Sequence, residues 1–304
     1  MSTKNIVTYA QNREDLFIFS YLSDVKNGFY IDIGAHHPIK DSVTKFFYTQ
    51  GWSGINVEPQ AEIFNQIVKD RKKDINLNIG ISDKAGKLKL RQFPGGGLST
   101  FSEEIKSQYD KDLKMSNISH EDYEVDVRTL ASIFEKEAAD IKVHFLKIDV
   151  EGLEYEVIKG NDWEKYRPIM ICIESNHIVT DWRPLLAKAR YKKVFFDGLN
   201  DYYLAEEELF REGNFKFPEL FLSDKEVLPY IADKDLKILR KELKDLYAKY
   251  DKLKDSRDSI NWKYDQLLHK YQLLEESNKS IRKNFEALKS SVGRKVNRSI
   301  GRKD

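Results

Sequence analysis

Acidic side chains follow three successive strand-like segments in the first part of the chain. The segments FYIDIG, SGINVE and DINLNIG bring to their ends Asp32 and Gly34, then Glu58, then Ser82 and Asp83. Because ligands of parallel α/β sheets bind at the carboxyl ends of the strands, we expect these residues to border one binding site. The helix after the first strand would also offer free N–H groups to an anion. Taken singly, each acid could equally be a helix cap or a turn residue.

The glycine pattern after the first strand restricts the ligand. A nicotinamide or flavin site needs G-x-G-x-x-G, whose glycines let the backbone approach a pyrophosphate. Here a single glycine is followed by AHHP, which argues against a nicotinamide-dependent oxidoreductase. S-adenosylmethionine has no pyrophosphate, and Asp32 could take its amino end while Glu58 accepts from its ribose hydroxyls. Ser82 and Asp83 would then lie at the adenine edge.

The segment LKIDVEG is the predicted chemical centre. Lys147 and Asp149 lie two residues apart on a strand and therefore share one face. Ionisable residues at the end of an apolar strand are costly unless they are paired. One interpretation is a structural ion pair of Lys147 with Asp149 or Glu151. The other places Asp149 beside the reactive methyl group, with Glu151 or Lys147 in acid–base or substrate-orienting roles.

The next strand ends in IESNH, which adds Glu174 and His177 to the same edge of the sheet. His177 is a candidate base, because the unperturbed pKa of histidine lies near neutrality. In the alternative interpretation, Asp149, Glu174 and His177 hold a hard divalent cation such as Mg²⁺ that positions a sugar diol. The loop PGGGLSTF lacks the context of a phosphate-binding loop and is predicted to be a lid over the acceptor.

A series of ordered motifs resembles one known family. In chain order they are YAQNREDLFI, FYIDIGAHHP with SVTKFFYTQGWSGINVEP, DINLNIGISDKAGKLKL, GLSTF, VRTLASIF, FLKIDVEGLEYEVIKG and DGLNDYYLAEE. Over residues 8–210 the chain resembles the FkbM-type methyltransferases, S-adenosylmethionine-dependent enzymes of the class I Rossmann-like fold. This resemblance implies methyl transfer to oxygen and a doubly wound, mostly parallel sheet.

The resemblance supports the cofactor contacts inferred from the strand ends and adds others. Together the positions assigned to the cofactor are Gln11, Asn12, Asp32, Gly34, Ala35, His36, Glu58, Ser82, Asp83 and Asp149. Gln11 and Asn12 would close over the cofactor. Two positions depart from the family, since many members have glycine in place of Pro38 and asparagine in place of His36. Pro38 suits the first turn of a helix, so we interpret the change as a subfamily variant.

The elements that must position these residues follow from the alternation of patterns. The strand-like segments alternate with helical patterns at 42–50, 60–72, 128–137, 153–159 and 182–189. Such alternation predicts an α/β fold with helices on both faces of a largely parallel sheet. Lys and Arg (51) nearly balance Asp and Glu (50), so no overall field favours nucleic acid, and no nucleic-acid partner is predicted.

Beyond the predicted sheet the sequence becomes a heptad repeat. Every d position from Leu239 to Leu288 is Leu or Ile, which predicts a long α-helical coiled coil. We divide the chain into a methyltransferase domain at 1–212, a linker at 213–233, a coiled-coil helix at 234–292 and a basic tail at 293–304. Leucine at d is compatible with a parallel dimer, whereas tyrosine at several a positions leaves a trimer open. A single helix folded back on the domain is the alternative.

The last residues, LKSSVGRKVNRSIGRKD, carry six basic side chains against Asp304 alone. This tail could lie on an anionic membrane or remain solvated. It is also similar to endings found after coiled coils in bacterial glycosyltransferases, although their Trp and Pro are missing. From that likeness we expect the acceptor to be a sugar hydroxyl in a surface polysaccharide or glycoconjugate. The second hypothesis is an assembly protein that uses the coiled coil and carries a degenerate Rossmann-like domain.

The predicted location is cytoplasmic, with the tail as an optional contact to the inner face of the membrane. The N-terminal residues lack the basic-then-apolar layout of a signal peptide. No stretch approaches the roughly 20 apolar residues that span a bilayer. The single cysteine, Cys172, excludes a disulfide framework and fits a reducing compartment.

Overall fold

A seven-stranded sheet forms the centre of the first part of the chain in a computed structural model of the protein. The strands are β1 (Ile6–Thr8), β2 (Phe29–Ile33), β3 (Ser53–Val57), β4 (Ile75–Leu77), β5 (Gly80–Ser82), β6 (Gly86–Gln92), β7 (Glu121–Thr129), β8 (Phe145–Ile148), β9 (Met170–Glu174), β10 (Tyr191–Phe196), β11 (Asn200–Ala205) and β12 (Val227–Pro229). The large sheet has the order β10–β11–β9–β8–β2–β3–β4, and only β11 runs against the others. The predicted mostly parallel sheet is confirmed.

The structure describes most of the first part of the chain and scattered residues of a C-terminal helix. The described residues are 6–94, 97–176, 178–214, 227–229 and, with gaps, helical residues between 245 and 289. The chain divides into two compact units, 1–230 and 231–304. Most of the predicted linker at 213–233 and the whole predicted tail at 293–304 lie outside the described residues.

Helices cover both faces of the large sheet. They are α1 (Glu14–Tyr21), α2 (Val43–Thr49), α3 (Ala61–Asp70), α4 (Glu103–Lys111), α5 (Leu130–Glu137), α6 (Glu154–Lys159) and α7 (Arg183–Lys188). Successive residues of a strand point to opposite faces, so Tyr30 and Phe145 pack with α1 and α2, whereas Ile31 and Leu146 pack with α5, α6 and α7. Two apolar cores result, one on each face, and this sandwich fixes the strand ends that carry the charged residues.

A smaller sheet stands beside the main one. Strand β7 pairs in parallel with β5 and antiparallel with β6. The predicted third strand, which runs from DINLNIG into ISD, is therefore two strands: Ile75–Leu77 belongs to the large sheet and Gly80–Ser82 to the small one. Strands β1 and β12 form a separate parallel pair.

The second unit is helical wherever its residues are described. Described residues at the predicted d positions, including Leu246, Leu253 and Leu267, are 62%, 71% and 68% exposed. A helix is thus present where the heptad predicts one, and its pairing with another helix remains a prediction. Among the described residues, no helix combines the length and apolar character needed to cross a lipid bilayer.

Candidate active site

The chain leaves strand β2 through a turn that requires glycine. Gly34 has a φ of 79°, in the left-handed region, and its N–H donates to the carbonyl oxygen of Val57. A Cβ atom on Gly34 would lie 1.8 Å from the carbonyl oxygen of Asp149. The turns after β2 and β8 therefore touch, at the point where the strand order of the sheet reverses. Ligands of doubly wound sheets bind at such a point.

Lys147 connects these two turns electrostatically. Its Nζ atom lies 3.7 Å from Asp32 Oδ1 and 3.0 Å from Asp149 Oδ2. It also donates to the carbonyl oxygen of Gly34 at 3.2 Å. Burial acts to lower the pKa of Lys147, but Asp149 and Asp32 outweigh burial and raise it. Lys147 is therefore a fixed cation between the ends of β2 and β8.

Asp32 lies behind the binding cleft and not on its surface. Its side chain is 1% exposed, and its Oδ2 atom accepts a hydrogen bond from Thr44 Oγ1 at 2.8 Å. Asp32 pairs with Lys147 in the register of β2 and β8. This position suits a residue that holds Lys147 in place, while direct contact with the amino end of a cofactor remains a prediction.

Three carboxyl groups meet where β8 and β9 end. Asp149, Glu151 and Glu174 each place one carboxylate oxygen within 4.8 Å of the others, and we call them the acid cluster. Burial acts to raise the pKa of Asp149, but Lys147 and the hydrogen bond with Glu174 together outweigh burial and lower it. Burial, Asp149 and Glu151 raise the pKa of Glu174, which shares a hydrogen bond with Asp149. At neutral pH the Asp149 carboxylate thus accepts a hydrogen bond from a protonated Glu174.

Glu151 joins the acid cluster from a strained turn. It has a φ of 53°, and Gly152 follows with a φ of 98°. The Glu151 carbonyl oxygen accepts from Thr100 Oγ1 at 2.6 Å, and Glu154 Oε1 accepts from the N–H of Gly152 at 3.1 Å. Burial, Asp149 and Glu154 raise the pKa of Glu151 to about 8. A carboxyl group with this pKa changes its charge close to neutral pH, as a general base requires.

The acid cluster also has the oxygen ligands that a hard divalent cation takes. The structure brings Asp149 and Glu174 together with Glu151, whereas His177 lies outside the described residues. A bound cation would displace the proton that Asp149 and Glu174 share. Metal binding and the protonated state of the cluster therefore exclude one another.

The β3 side of the cleft is built around Glu58. Its side chain is 2% exposed and lines the cleft. Glu58 Oε2 accepts from the N–H of His36 at 2.9 Å, and Oε1 accepts from the N–H of Gln60 at 2.8 Å. Burial raises the pKa of Glu58 to about 7. Backbone donors thus fix both carboxyl oxygens of Glu58 at the edge of the cleft.

An apolar wall stands beside Glu58. Its residues come from β5, the chain before it and the GLSTF segment, and they include Ile79, Ile81 and Phe101. A Cβ atom on Gly80 would lie 2.8 Å from Phe101 Cζ, so the ring packs directly on the backbone of β5. This wall offers a flat apolar surface of the kind that an adenine ring needs.

Ser82 and Asp83 are not among the residues that line the cleft. Ser82 is buried at the end of β5. Asp83 Oδ2 accepts from Lys159 Nζ at 2.8 Å, and that hydrogen bond lowers the pKa of Asp83. The apolar wall thus stands where the sequence predicts these two polar residues.

The loop after β2 and the N-terminal segment supply further edges of the cleft. His36 lines it with a φ of 49°, while Ala35 is buried and its N–H donates to the carbonyl oxygen of Val57. Gln11 lines the cleft as well. Asn12 does not, because its side chain donates to the carbonyl oxygen of Asp197 at 3.2 Å.

A buried polar network holds this N-terminal segment. Asp15 accepts from Thr8 Oγ1 at 2.7 Å and from the N–H of Tyr9 at 2.8 Å, and burial raises its pKa to about 6. Glu14 accepts from Asn200 Nδ2 at 3.1 Å, and burial raises its pKa to about 7. The hydrogen bond of Glu14 thereby connects the YAQNRED segment, which contains Gln11, to strand β11.

Three residues at or beside the cleft were not predicted from the sequence patterns: Gln60, Ser99 and Thr100. Gln60 Oε1 accepts from Ser99 Oγ at 3.3 Å, and both residues line the cleft. The loop PGGGLSTF is the segment predicted to be a lid over the acceptor. Of its described residues, Gly97, Ser99 and Phe101 line the cleft, and its role as a lid stays a prediction. Nothing in the sequence signals Gln60. Its position depends on the hydrogen bond from its N–H to Glu58 and on the one that its side chain accepts from Ser99, and only the fold creates them.

A family model described as the methyltransferase FkbM domain matches residues 32–196, more than half of the chain. The chain belongs to the FkbM methyltransferase family. The predicted membership is confirmed, and the matched region of the FkbM domain runs from Asp32 on β2 to Phe196 on β10. Gln11, Asn12 and the C-terminal helix lie outside it.

Solved structures of low similarity also match part of the chain. One is a TehB-like SAM-dependent methyltransferase from Corynebacterium glutamicum, 7% identical, with a TM-score of 0.34, covering 62% of this chain and 88% of that chain. Another is the fibrillarin pre-rRNA processing protein of Methanococcus jannaschii, 12% identical, with a TM-score of 0.32, covering 60% and 67%. No curated protein matches the chain.

Proposed function

We propose that the FkbM domain transfers the methyl group of S-adenosylmethionine to a hydroxyl oxygen of a sugar, in the biosynthesis of a surface polysaccharide or glycoconjugate. One observation carries the proposal: a single cleft is lined by Glu58 and an apolar wall on one side and by the acid cluster on the other. Family membership gives the reaction class, and the two sides of the cleft support the cofactor and the oxygen acceptor.

The chemistry of the residues that line the cleft suits S-adenosylmethionine. Glu58 would accept from the two ribose hydroxyls, and Ile79, Ile81 and Phe101 would contact the adenine ring. The Asp149 carboxylate would favour the cationic end of the molecule. The turn at Gly34 has no second or third glycine, which suits a ligand without a pyrophosphate. Bound at this position, S-adenosylmethionine supplies an electrophilic methyl group.

Methyl transfer to oxygen requires that the proton of the acceptor hydroxyl be removed. Lys147 keeps Asp149 ionised, so Asp149 can orient the acceptor by accepting a hydrogen bond. Glu174 remains protonated and holds Asp149 in place. Glu151, with a pKa of about 8, takes the proton once it is ionised. A positioned base contributes about 10²–10⁴-fold in rate, and alignment of the reactants can supply roughly 7–11 kcal/mol.

Calorimetric titration of the full chain with S-adenosylmethionine, and separately with NAD, tests the cofactor. We expect S-adenosylmethionine alone to bind, and Glu58→Gln to weaken it at least tenfold because neutral amide oxygens accept less strongly from ribose hydroxyls. The matched control is Glu104→Gln, an exposed acid on α4 that does not line the cleft. If S-adenosylmethionine does not bind to folded protein, the assembly hypothesis gains weight.

Transfer of a radiolabelled methyl group to a panel of glycosides, with EDTA or with Mg²⁺, tests the acceptor and the acid cluster. We expect labelled product in EDTA, because Lys147 and the shared proton already balance the cluster. Activity that disappears in EDTA and returns with Mg²⁺ would assign the cluster to a cation. His177→Gln belongs to the same experiment, since His177 is the second candidate base.

A further inference from the structure

A second cavity adjoins the cleft and shares two wall residues with it, His36 and Gln60. Its other lining residues come from the loop after β2, from α3 and from the end of β6, and they are His37, Glu62, Ile63, Gln66 and Gln92. Neither the cofactor nor the acid cluster accounts for this group of polar side chains. Because the two cavities share a wall, a molecule that extends past His36 would occupy both.

His37 offers a donor to this second cavity. Its Nδ1 atom accepts from the N–H of Ile39 at 3.0 Å and from the N–H of Lys40 at 2.9 Å. An imidazole nitrogen that accepts carries no proton, so the proton of the neutral ring is on Nε2. Burial and the nearby His36 lower the pKa of His37, which keeps the ring neutral. The Nε2–H group of the neutral His37 ring is therefore the donor that this side chain offers.

The side-chain amide of Gln92 is also oriented by a hydrogen bond within the protein. Its Oε1 atom accepts from the hydroxyl of Tyr123 at 2.6 Å. The acceptor atom of Gln92 is thus engaged inside the protein, and its NH₂ group remains to donate to a ligand. From the facing helix α3, Gln66 adds an amide and Glu62 a carboxylate acceptor.

The charge of the lining restricts the class of ligand. The described lining contains amides, imidazoles, one carboxylate and the apolar Ile63, and it includes neither Lys nor Arg. Phosphate sites usually present cations or arginine forks, whereas fixed neutral donors beside an apolar patch suit an uncharged ligand that is rich in hydroxyl groups. We propose that the second cavity is a subsite for a neutral sugar unit. That this unit belongs to the molecule being methylated rests on the proposed function.

Saturation-transfer NMR titrations of the full chain test the subsite, with the methyl glycosides of glucose, galactose, mannose and rhamnose as probes. We expect at least one glycoside to bind, and Gln66→Leu and Gln92→Leu to weaken it about 2–10-fold each, the loss of one neutral hydrogen bond. Asn65→Leu is the matched control, since Asn65 neighbours Gln66 on α3, is exposed and does not line the cavity. Its dissociation constant should equal that of the parent.

Tyr123→Phe gives a second test that leaves the lining unchanged. Gln92 would lose the hydrogen bond that orients it, so we expect weaker binding of the same glycoside. The subsite is overturned if no glycoside binds, if Gln66→Leu and Gln92→Leu bind as the parent does, or if inorganic phosphate displaces the bound glycoside. Calorimetry with S-adenosylmethionine separates the two proposals. If a glycoside binds and S-adenosylmethionine does not, only the proposed methyl transfer is refuted. If S-adenosylmethionine binds and no glycoside does, only the subsite is refuted.

Discussion

The ammonium group of Lys147 determines how the carboxyl groups at the cleft divide their protons. It lies 3.0 Å from Asp149 and keeps that residue ionised. Glu174 and Glu151 have raised pKa values, because burial and the Asp149 charge both favour their neutral forms. Glu174 stays protonated across the physiological range, so Glu151 is the member of the acid cluster whose charge changes near neutral pH.

Replacing Glu151 by Gln should lower kcat about 10²–10⁴-fold, the usual contribution of a positioned base. In the parent protein, activity should rise as the pH increases through the pKa of Glu151, about 8 before ligands bind, since only the ionised form accepts a proton. The sulfonium charge should move this rise to lower pH. The measurement is the pH dependence of kcat, and a Glu151→Gln enzyme that keeps the parent's rise would refute the assignment.

The hydroxyl group of Tyr109 bears on the stability of the fold. It is buried and has no hydrogen-bond partner in the described part of the chain. Burial, Glu151 and Glu174 raise the pKa of Tyr109 to about 12. An unpaired buried hydroxyl costs about 1–3 kcal/mol, so we expect Tyr109→Phe to increase the free energy of unfolding by about 1 kcal/mol.

Urea denaturation measures this change, and Tyr191→Phe is its control. The Tyr191 hydroxyl donates to the carbonyl oxygen of Pro168 at 2.6 Å, so its removal should lower the free energy of unfolding by about 1 kcal/mol. If both variants lost stability equally, the Tyr109 hydroxyl would have a partner in solution.

At the scale of elements, the turn after β8 is held by its neighbours on several sides. The N–H of Asp149 donates to the carbonyl oxygen of Ile33, and Thr100 donates to that of Glu151. The Thr100 hydroxyl also accepts from the N–H of Ser102 at 2.9 Å, at the start of α4. The segment before α4 thus helps to set the geometry of the turn after β8, which carries the proposed base Glu151.

Thr100→Val removes both hydrogen bonds while keeping the shape of the side chain. We expect a loss of about 1–3 kcal/mol in the free energy of unfolding and a fall in kcat, with the affinity for S-adenosylmethionine unchanged. Thr49→Val is the control, because the exposed Thr49 also donates its hydroxyl to a backbone carbonyl, that of Phe46 in α2, and does not line the cleft. Equal stability losses in the two variants would contradict the role of Thr100.

Strand patterns explain which elements the sequence can predict. The runs that became β2, β3, β8 and β9 are apolar and end in acids, so both their type and their shared edge follow from the sequence. The break between β4 and β5 does not, because Ile75, Leu77, Ile79 and Ile81 alternate without interruption across it. The bend occurs where Asn78 Nδ2 donates to the carbonyl oxygen of Glu58 at 2.8 Å, a contact that no local pattern encodes.

Helices α1 and α4 show two further limits of periodicity. Helix α1 is buried on nearly every side, so it has no polar face to reveal a 3.6-residue repeat. Helix α4 is polar except for Ile105 and Tyr109 and resembles a loop in composition. The acids of the site could be named from strand ends, whereas the proton sharing of Asp149 and Glu174 required their actual separation.

At the scale of the whole molecule, buried carboxyl groups make stability depend on pH. Burial raises the pKa of Glu14, Glu58 and Glu154 to about 7 and that of Asp15 to about 6. Between their unfolded and folded pKa values, the native protein binds more protons than the unfolded chain. Stability is therefore highest on the acidic side of this range and falls as the pH rises through the folded values.

We expect the free energy of unfolding, and with it the melting temperature, to fall between about pH 5 and pH 7. In that range each of the three glutamates contributes up to about 1.4 kcal/mol per pH unit, and Asp15 contributes only up to about pH 6. Glu154→Gln should reduce the slope, because an amide group does not titrate. The amide oxygen can still accept from the N–H of Gly152, so the local hydrogen bond is kept. Glu164→Gln, at an exposed site, should leave the slope unchanged. Calorimetry across this range makes the measurement, and a melting temperature that rises with pH would contradict it.

The exposed heptad positions of the C-terminal helix lead to a prediction about assembly. Apolar side chains such as Leu253 and Leu267 are 71% and 68% exposed in a single chain, and a parallel coiled coil would cover them. We expect light scattering to show a dimer or trimer for the full chain and a monomer for residues 1–230. Leu267→Asn should weaken the oligomer, while Gln272→Asn, outside the a and d positions, should not. The same oligomeric state for both chains would contradict the coiled coil.

The contact between Gly34 and Asp149 has an evolutionary consequence. A Cβ atom at position 34 would meet the Asp149 carbonyl oxygen at 1.8 Å, whether or not a cofactor is present. A descendant that had lost catalysis would still need this glycine for its two central strands to close. Retention of Gly34 among homologues therefore reports on the fold. Drift at Glu58 and Glu151, whose side chains face the cleft, is the trace that lost activity would leave.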